Sequence, residues 1–154
     1  MNTTIYRITK QTGLLLVLLF GLTSFASITA QNKADEIIGT WELEDKTSKM
    51  EIYKKDGKYY GKLLYGKDVV NEDGSSKKDI ENPDESLRNR DIIGSTYIHN
   101  LTYDGDEYDD GKVYDSTTGK TWSCYVEMED GDLHFTGYMG AKWLGQTYVY
   151  KRVK

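Results

Sequence analysis

Cysteine is almost absent from this sequence, because Cys124 is the only one among 154 residues. No intramolecular disulfide can form, so the stability of the chain must come from a packed core. Cys124 alternates with the apolar residues Trp122, Val126 and Met128. This pattern predicts a buried, unreactive thiol on a strand rather than a nucleophile, since no catalytic-cysteine motif surrounds it.

Metal-binding and catalytic motifs are also scarce. The two histidines, His99 and His134, have neither HxH nor HExxH spacing, so they predict no metal site. The acidic segment 104–110 lacks the register of a calcium loop, because Tyr108 stands where a third ligand belongs. No nucleophile elbow, Ser-His-Asp order or phosphate-binding glycine loop occurs. The sequence therefore predicts no metal, no cofactor and no catalytic residue.

One enzymatic interpretation stays open at this point. Asp79 or Asp84 could form an acid–base pair with His99, because a sequence does not show which residues are close in space. Such a pair would make the protein a hydrolase that uses its acidic loop.

Long apolar runs are missing except near the start, where residues 14–20 are all apolar. This run is shorter than the ~20 residues that a membrane-spanning helix needs. Arg7 and Lys10 precede it, and small residues follow it up to Ala30, which is the layout of a signal peptide. We predict a cleaved signal peptide at residues 1–30; the alternative is an N-terminal membrane anchor.

Basic residues are in the minority, with 20 lysines and arginines against 25 acidic residues and a formal net charge of −5. Cleavage after Ala30 would remove basic residues and no acid, so the mature chain would be still more acidic. An acidic protein has no electrostatic attraction for nucleic acids or anionic membrane surfaces. We therefore predict a single exported domain, residues 31–154, that is periplasmic or secreted, binds no nucleic acid and has no stable membrane span.

Long helical patterns are absent, and short alternating apolar segments take their place. Trp41 and Leu43 alternate with Thr40 and Glu42, for example, as in a half-buried strand. Pairs such as Asp56-Gly57 favour tight hairpin turns. The predicted strands are residues 37–43, 49–54, 58–65, 95–103, 107–114, 121–128, 133–138 and 143–151.

Consecutive strands joined by tight turns form an antiparallel up-and-down meander. We predict an all-β fold in which roughly eight strands close into a barrel, because closure removes the exposed edges that invite aggregation. A barrel of this size is wide enough to be filled by side chains or to hold one small ligand. The alternative architecture is a two-sheet β-sandwich. Strict alternation in the segment 95–103 would place Tyr97, His99, Leu101 and Tyr103 on one face.

Proline occurs once, as Pro83, within a segment that breaks the strand pattern, residues 79–94. A connection this long and this charged in a compact β-domain is usually functional or is a tied-down lid. We expect Asp79, Asn82, Pro83 and Asp84 to structure the loop. Asn82 or Asp84 can cap a turn, and Pro83 fixes the backbone angle at its start.

Two arginines, Arg88 and Arg90, follow in the same loop. A guanidinium group can bind a carboxylate or phosphate through two parallel hydrogen bonds. These arginines could therefore hold the polar end of a ligand at a barrel mouth. They could also pair with the acids of the loop and hold it in place, and the two roles can coexist.

Aromatic residues are plentiful, with 13 tyrosines and 3 tryptophans. In one interpretation they fill the core, and in the other they line a small-molecule pocket, since such pockets combine aromatic walls with a few polar groups. The aromatic candidates for ligand contact are Trp41, Tyr97, Trp122, Phe135 and Trp143.

Several motifs occur together along the chain. They are Gly39-Thr40-Trp41, the run NPDESLRNR that begins at Asn82, and GYMG at residues 137–140. With these motifs, residues 37–153 resemble the domain-of-unknown-function family 2147, which implies a secreted bacterial protein with no assigned activity. A GxW motif at the start of an up-and-down meander is also similar to lipocalins and fatty-acid-binding proteins. That similarity implies a lipocalin-like barrel, although a fold does not determine a function.

The favoured function is non-enzymatic binding of a small apolar or amphipathic molecule inside the barrel, with the loop 79–90 near one mouth. The alternative is a solid-core envelope module that binds another protein, whose identity the sequence does not indicate. Interior volume distinguishes the two, because bulky residues at every inward position would leave no pocket.

Overall fold

The computed structural model describes residues 33–154 of the chain. The predicted signal peptide, residues 1–30, lies outside the described residues. One compact unit, Ile37–Lys154, contains all the strands of this described part. No helix within residues 33–154 is both long enough and apolar enough to cross a membrane.

Eight antiparallel strands form a closed barrel, and each pairs with the next along the chain. The last strand returns to the first, with Trp41 opposite Arg152 and Leu43 opposite Tyr150. Closure confirms the predicted up-and-down barrel and excludes the two-sheet sandwich. The strands are β1 (Gly39–Leu43), β2 (Ser48–Lys55), β3 (Lys58–Gly66), β4 (Thr96–Tyr103), β5 (Tyr108–Asp115), β6 (Lys120–Glu129), β7 (Asp132–Tyr138) and β8 (Gln146–Arg152). Short 3-10 helices lie at Asp35–Ile37, Lys67–Val69, Glu85–Leu87 and Lys142–Leu144.

Two of the tight turns adopt the conformation that their Asp-Gly sequences predict. Asp56 and Gly57, between β2 and β3, have φ angles of 51° and 77°. Asp130 and Gly131, between β6 and β7, have φ angles of 53° and 84°. Positive φ at both central positions is the mark of a type I′ turn, whose twist matches that of the flanking strands. These turns fix the register of their hairpins.

The last strand begins later than predicted. Residues 143–151 were expected to form it, but β8 starts at Gln146 and Lys142–Leu144 forms a 3-10 turn instead. A Cβ atom on Gly145 would lie 2.6 Å from the Thr136 side chain. The backbone at this glycine therefore packs directly onto β7, and the chain enters the sheet only after it.

Strand β4 does not follow strict alternation: Tyr97, Leu101 and Tyr103 pack against the core as predicted, but the prediction that His99 shares their face is wrong. The pairing of β3 with β4 skips Tyr97, which forms a β-bulge, and Asn100 has a φ of 64°. Each irregularity shifts the alternation by one residue. As a result Ile98 and Leu101 are both fully buried, whereas His99 lies on the outer face.

One end of the barrel, which carries the β2–β3, β4–β5 and β6–β7 turns, is filled by side chains. Trp41 is completely buried there, and its Nε1–H donates a hydrogen bond to the Ile37 carbonyl oxygen at 2.8 Å. The Arg152 guanidinium stacks on the Trp41 ring, 4.1 Å from its centroid. Tyr59 and Tyr108 pack edge to face, with ring centroids 5.2 Å apart. These side chains close the interior of the barrel at this end.

The thiol of Cys124 lies within this core and is fully buried. Burial raises its pKa to about 12, because a thiolate in an apolar interior lacks hydration. The thiol is therefore protonated at neutral pH, as the alternating pattern of the sequence predicts.

Candidate functional site

The open end of the barrel contains a cavity of about 400 Å³. Residues of the connections that follow β1, β3 and β5 line it. Its volume falls within the range of ~300–1,000 Å³ that is typical of small-molecule pockets. Its apolar wall consists of Leu43, Leu63, Val69, Ile92, Val113 and Phe135.

A second cavity, of about 490 Å³, adjoins the first on the side of β6 and β7. Both cavities are lined by Phe135, Val113, Asp115 and Tyr148, whereas Trp122 lines only the second. Because they share four lining residues, we treat the two cavities as one site and call it the recess. The recess is mostly apolar and opens at one end of the barrel.

Neutral hydroxyl groups lie on the inner wall of the recess. The Tyr97 hydroxyl donates to Met50 Sδ at 3.1 Å, and the Tyr150 hydroxyl donates to Ser48 Oγ at 3.2 Å. Burial raises the pKa of both tyrosines, so each stays protonated at neutral pH. These hydroxyls can exchange hydrogen bonds with a neutral polar group of a ligand, but they supply no charge.

Acidic side chains lie at the rim of the recess. Asp45 accepts hydrogen bonds from the Thr47 side chain at 2.7 Å and backbone N–H at 3.0 Å, which lower its pKa. Burial acts to raise the pKa of Asp115, but hydrogen bonds from Thr117 and Thr118 outweigh it and lower that pKa. Both groups are therefore ionised at neutral pH. The charged residues that line the recess are Asp45, Lys67, Asp68 and Asp115.

The long connection between β3 and β4 is held to the barrel by one buried carboxylate. Asp79 is only 1% exposed. Its Oδ1 accepts a hydrogen bond from the Tyr114 hydroxyl at 2.7 Å, and its Oδ2 accepts from Asn82 Nδ2 at 2.8 Å. Arg90 approaches the same Oδ2 with Nε at 2.9 Å and Nη2 at 2.7 Å. Burial acts to raise the pKa of Asp79, but these partners outweigh it and lower the pKa.

Tyr114 connects this loop to the wall of the recess, because it lies on β5 and also lines the cavity. Burial and its hydrogen bond to Asp79 raise the pKa of Tyr114 to about 12. The loop makes a second close contact at Gly119, whose φ is 70° and where a Cβ would overlap the Glu81 carbonyl oxygen. The loop is therefore attached on both sides of the β5–β6 turn, and it contributes Ile92 to the recess wall.

The remaining loop residues form a short capped turn. Asn82 Oδ1 accepts a hydrogen bond from the Asp84 N–H at 2.9 Å, across Pro83. Asp84 Oδ1 in turn accepts from the Ser86 N–H at 2.9 Å, at the start of a 3-10 helix. Arg88 Nε donates to the Asn82 carbonyl oxygen at 2.8 Å. Of the predicted loop residues, Asp79, Asn82 and Asp84 thus each have a hydrogen-bond partner within the loop.

The predicted ligand-contacting aromatics fall into three places. Tyr97, Trp122 and Phe135 line the recess. Trp41 is buried at the closed end, beneath Arg152. Trp143 is 82% exposed and belongs to the lining of neither cavity. The structure therefore brings together three of the five aromatic candidates.

The two arginines that could have held a ligand are directed at the loop itself. Arg90 binds Asp79, and its guanidinium lies 5.9 Å from the centroid of the Tyr114 ring. Arg88 binds the Asn82 carbonyl oxygen. Neither side chain belongs to the lining of the recess. The observed contacts of both arginines thus fit the interpretation in which they hold the loop in place.

The residues of the hydrolase hypothesis lie in separate environments. His99 is on the outer face, where its ring packs edge-on against Tyr60 and burial lowers its pKa. Asp79 is enclosed by its loop partners, and Asp84 caps a turn. Within residues 33–154, no group of three or more histidine, cysteine, aspartate or glutamate residues is arranged to hold a metal ion.

Sequence reasoning missed several residues that line the recess. Tyr148 and Tyr150 are two positions apart on β8, and that spacing could have identified them as sharing the inward face. Leu63 and Val113 lie on predicted strands, where the alternating pattern does not distinguish residues that line a cavity from residues that fill the core. Ile92 lies in the irregular connection, where no periodicity indicates which way a side chain points.

Comparison with known proteins agrees with this geometry. The profile of a family described as "Uncharacterized protein conserved in bacteria (DUF2147)" matches residues 39–152. Among solved structures, the chain is similar to one described by the sentence "Protein HP1028 from the human pathogen Helicobacter pylori belongs to the lipocalin family". The two share 31% identity with a TM-score of 0.65, and the match covers 77% of this chain and 83% of that one. No curated protein matches the chain. The predicted family resemblance and the lipocalin-like barrel are thus confirmed.

Proposed function

The chain belongs to the DUF2147 family of bacterial proteins, and we propose that it is an exported, non-enzymatic binder of a small apolar or amphipathic molecule. The observation that carries this proposal is the recess at the open end of a closed barrel. Its walls are apolar and aromatic, and its inner polar groups are the hydroxyls of Tyr97, Tyr150 and Ser48. Apolar pockets with a few polar groups are typical of small-molecule sites. The layout of residues 1–30 supports export.

The apolar part of the ligand supplies most of the binding free energy. Each square ångström of apolar surface removed from water contributes roughly 25 cal/mol. The loop that carries Val69 and Ile92 is already fixed through Asp79, so little ordering of the protein opposes binding. The similarity to a solved protein described as a lipocalin supports the same function.

Native mass spectrometry tests the proposal directly. The full chain is expressed in a bacterium, allowed to reach the periplasm and purified from it without detergent. We expect a mass excess over the processed chain that disappears on denaturation, because a ligand in the recess is held without a covalent bond. Fragmentation of the released molecule gives its chemical class.

An unliganded mass both after purification and after incubation with a bacterial lipid extract would contradict the binding proposal. A chain that keeps residues 1–30 and stays in the cytoplasm would contradict the export proposal. The two parts of the proposal are therefore tested separately in one preparation.

A substitution that fills the recess gives a second test. Gly137 lies on β7 and lines the recess, and a Cβ there would meet Phe135 and Val113 only at ordinary contact distances of 3.9 Å. Gly137→Leu should therefore fold and occupy space that the ligand needs. We expect binding of the neutral fluorophore N-phenyl-1-naphthylamine to weaken at least tenfold, as measured by fluorescence titration.

The matched control adds bulk to the outer face of the same sheet. Val149→Leu enlarges a partly exposed side chain on β8 and should bind the fluorophore as the parent does. Circular dichroism and the thermal midpoint verify that both variants are folded. Equal binding by the parent and a folded Gly137→Leu variant would place the fluorophore outside the recess and contradict the proposed site.

Protein binding is the second candidate function, and one observation favours it. Met139, Trp143 and Leu144 are largely exposed and close together in sequence, between β7 and β8. Exposed apolar groups of this kind mark protein-interaction sites in many proteins. A pulldown from periplasmic extract that captures a partner with the parent but not with Trp143→Ser would support this function, and capture of no partner would argue against it.

A further inference from the structure

The charges around the recess are unbalanced. Among the described residues that line it, three carboxylates stand against one cation: they are Asp45, Asp68 and Asp115, and the cation is Lys67. An adjoining cleft shares Asp68, Val69, Ile92, Ser116 and Thr117 with the recess. It adds two cations, Lys77 and Lys78, and two acids, Glu81 and Asp91, so the excess of negative charge is unchanged. Lys77 Nζ donates to the Asp68 backbone carbonyl oxygen at 3.0 Å, and Lys78 pairs with Asp91. The mouth of the recess is therefore negative.

A ligand with an anionic head could bind with that head inward or outward. If the head points inward, it meets the hydroxyls of Tyr97, Tyr150 and Ser48. These groups carry no positive charge, and a buried anion without a cationic partner is strongly unfavourable. Inward binding of a carboxylate is thus opposed by its loss of hydration.

If the head points outward, it lies at the rim beside the three carboxylates. The hydrogen bonds that Asp45 and Asp115 accept from neighbouring threonines favour their ionised forms. Like charges a few ångströms apart repel each other even where water screens them. Lys67 offsets only part of this repulsion. An anionic head is therefore disfavoured in both orientations, whereas a cationic head is attracted to the rim and a neutral head is tolerated.

Building on the proposed function, we infer that the recess selects its ligand by charge. It takes amphipathic molecules whose polar end is neutral or cationic, such as long-chain alcohols and amines, and it discriminates against carboxylates such as fatty acids. The apolar wall provides affinity for all of these chains alike, so the discrimination comes from the polar groups of the recess.

A matched series of ten-carbon chains tests this inference. Decanol, decylamine and decanoate are each titrated against the periplasm-purified protein loaded with N-phenyl-1-naphthylamine, at neutral pH and low salt. The apolar chain is the same, and only the charge of the head changes. We expect decanol and decylamine to displace the fluorophore at concentrations on the order of tenfold lower than decanoate.

The salt dependence of displacement shows whether the preference for decylamine over decanoate is electrostatic or steric. Raising the salt to 1 M shortens the Debye length to ~3 Å, so the advantage of decylamine over decanoate should shrink several-fold. Displacement by decanoate as effective as that by decanol would overturn the inference and leave the proposed function intact. Failure of the fluorophore and of every chain to bind would overturn the proposed function, and the inference with it.

A single substitution tests whether the charges at the rim cause the discrimination against decanoate. Asp68→Asn removes one negative charge from the lining of the recess, and we expect it to improve decanoate affinity two- to threefold without improving that of decanol. Asp56→Asn is the matched control, because it removes the same charge from a type I′ turn at the closed end, where asparagine is equally favoured. An equal gain in both variants, or in neither, would contradict the assignment.

Discussion

Asp79→Asn should lower the free energy of unfolding by about 2–3 kcal/mol, although the side chain scarcely changes in size. Removal of one partner from a buried ion pair typically costs 3–5 kcal/mol, because the remaining charge is left without compensation. Arg90 retains about a third of its exposure, so water relieves part of this cost. Urea unfolding followed by tryptophan fluorescence measures the loss.

The matched control lies in the same loop. Asp84→Asn removes an identical charge from an exposed position whose function is to accept the Ser86 N–H. Asparagine caps a helix about as well as aspartate. We therefore expect little change in the unfolding midpoint. Equal destabilisation by the two substitutions would show that the loop responds to net charge and not to the buried contacts of Asp79.

The pH dependence of Asp79→Asn follows from the direction of the pKa shift. The folded-state pKa of Asp79 lies below its ordinary value of 3.8, so the folded state favours the ionised carboxylate. The resulting stabilisation is complete above the unfolded-state pKa and is lost as the pH falls through the folded-state pKa. The gap in unfolding free energy between parent and variant should thus be constant from pH 7 to about pH 5 and should narrow below pH 4. A gap that stayed constant to pH 2 would contradict this explanation.

Alanine substitution of the three tryptophans should produce three different results. Trp41→Ala should cost about 3–5 kcal/mol of stability, because it empties the closed end of the barrel and removes the ring on which Arg152 stacks. Trp143→Ala should change stability by less than about 0.5 kcal/mol, since the side chain is largely exposed. Thermal and urea unfolding of the three variants provide the comparison.

Trp122→Ala should weaken ligand binding more than it lowers stability. Trp122 is partly buried and lines the recess without belonging to the closed-end core. We expect a smaller stability loss than that of Trp41→Ala, together with clearly weaker binding of N-phenyl-1-naphthylamine. Trp143→Ala, as the control, should bind like the parent. If Trp122→Ala is folded and binds with unchanged affinity, the part of the recess beside β6 does not contribute to the site.

Local patterns were sufficient to predict most of the barrel. The alternation around Trp41 and Cys124 placed both residues inward, and the Asp-Gly pairs located hairpin turns, because strand periodicity and turn conformation depend on neighbouring residues. Strand β4 was the exception. Its bulge at Tyr97 belongs to the pairing with β3, and Asn100 has a positive φ; strict alternation along residues 95–103 indicates neither feature.

The candidate site was less predictable than the fold. Tyr97, Trp122 and Phe135 were identified by their aromatic character, but so were Trp41 and Trp143, which lie at the closed end and on the surface. The residues that line the recess and those that do not are all aromatic, so residue type does not distinguish them. What differs is where each position lies: Trp41 is at the closed end and Trp143 is on the surface between β7 and β8, and both placements depend on how all eight strands close.

The sequence by itself determined the all-β meander, the turns and the unusual connection around Pro83, since each follows from the composition and spacing of adjacent residues. Only the tertiary structure decided that Asp79 joins that connection to Tyr114, and that one end of the barrel is filled while the other is open. The physical reason is that these features depend on contacts between residues distant in sequence, such as Asp79 and Tyr114, which are 35 positions apart. Such contacts are set by the register and closure of the whole sheet.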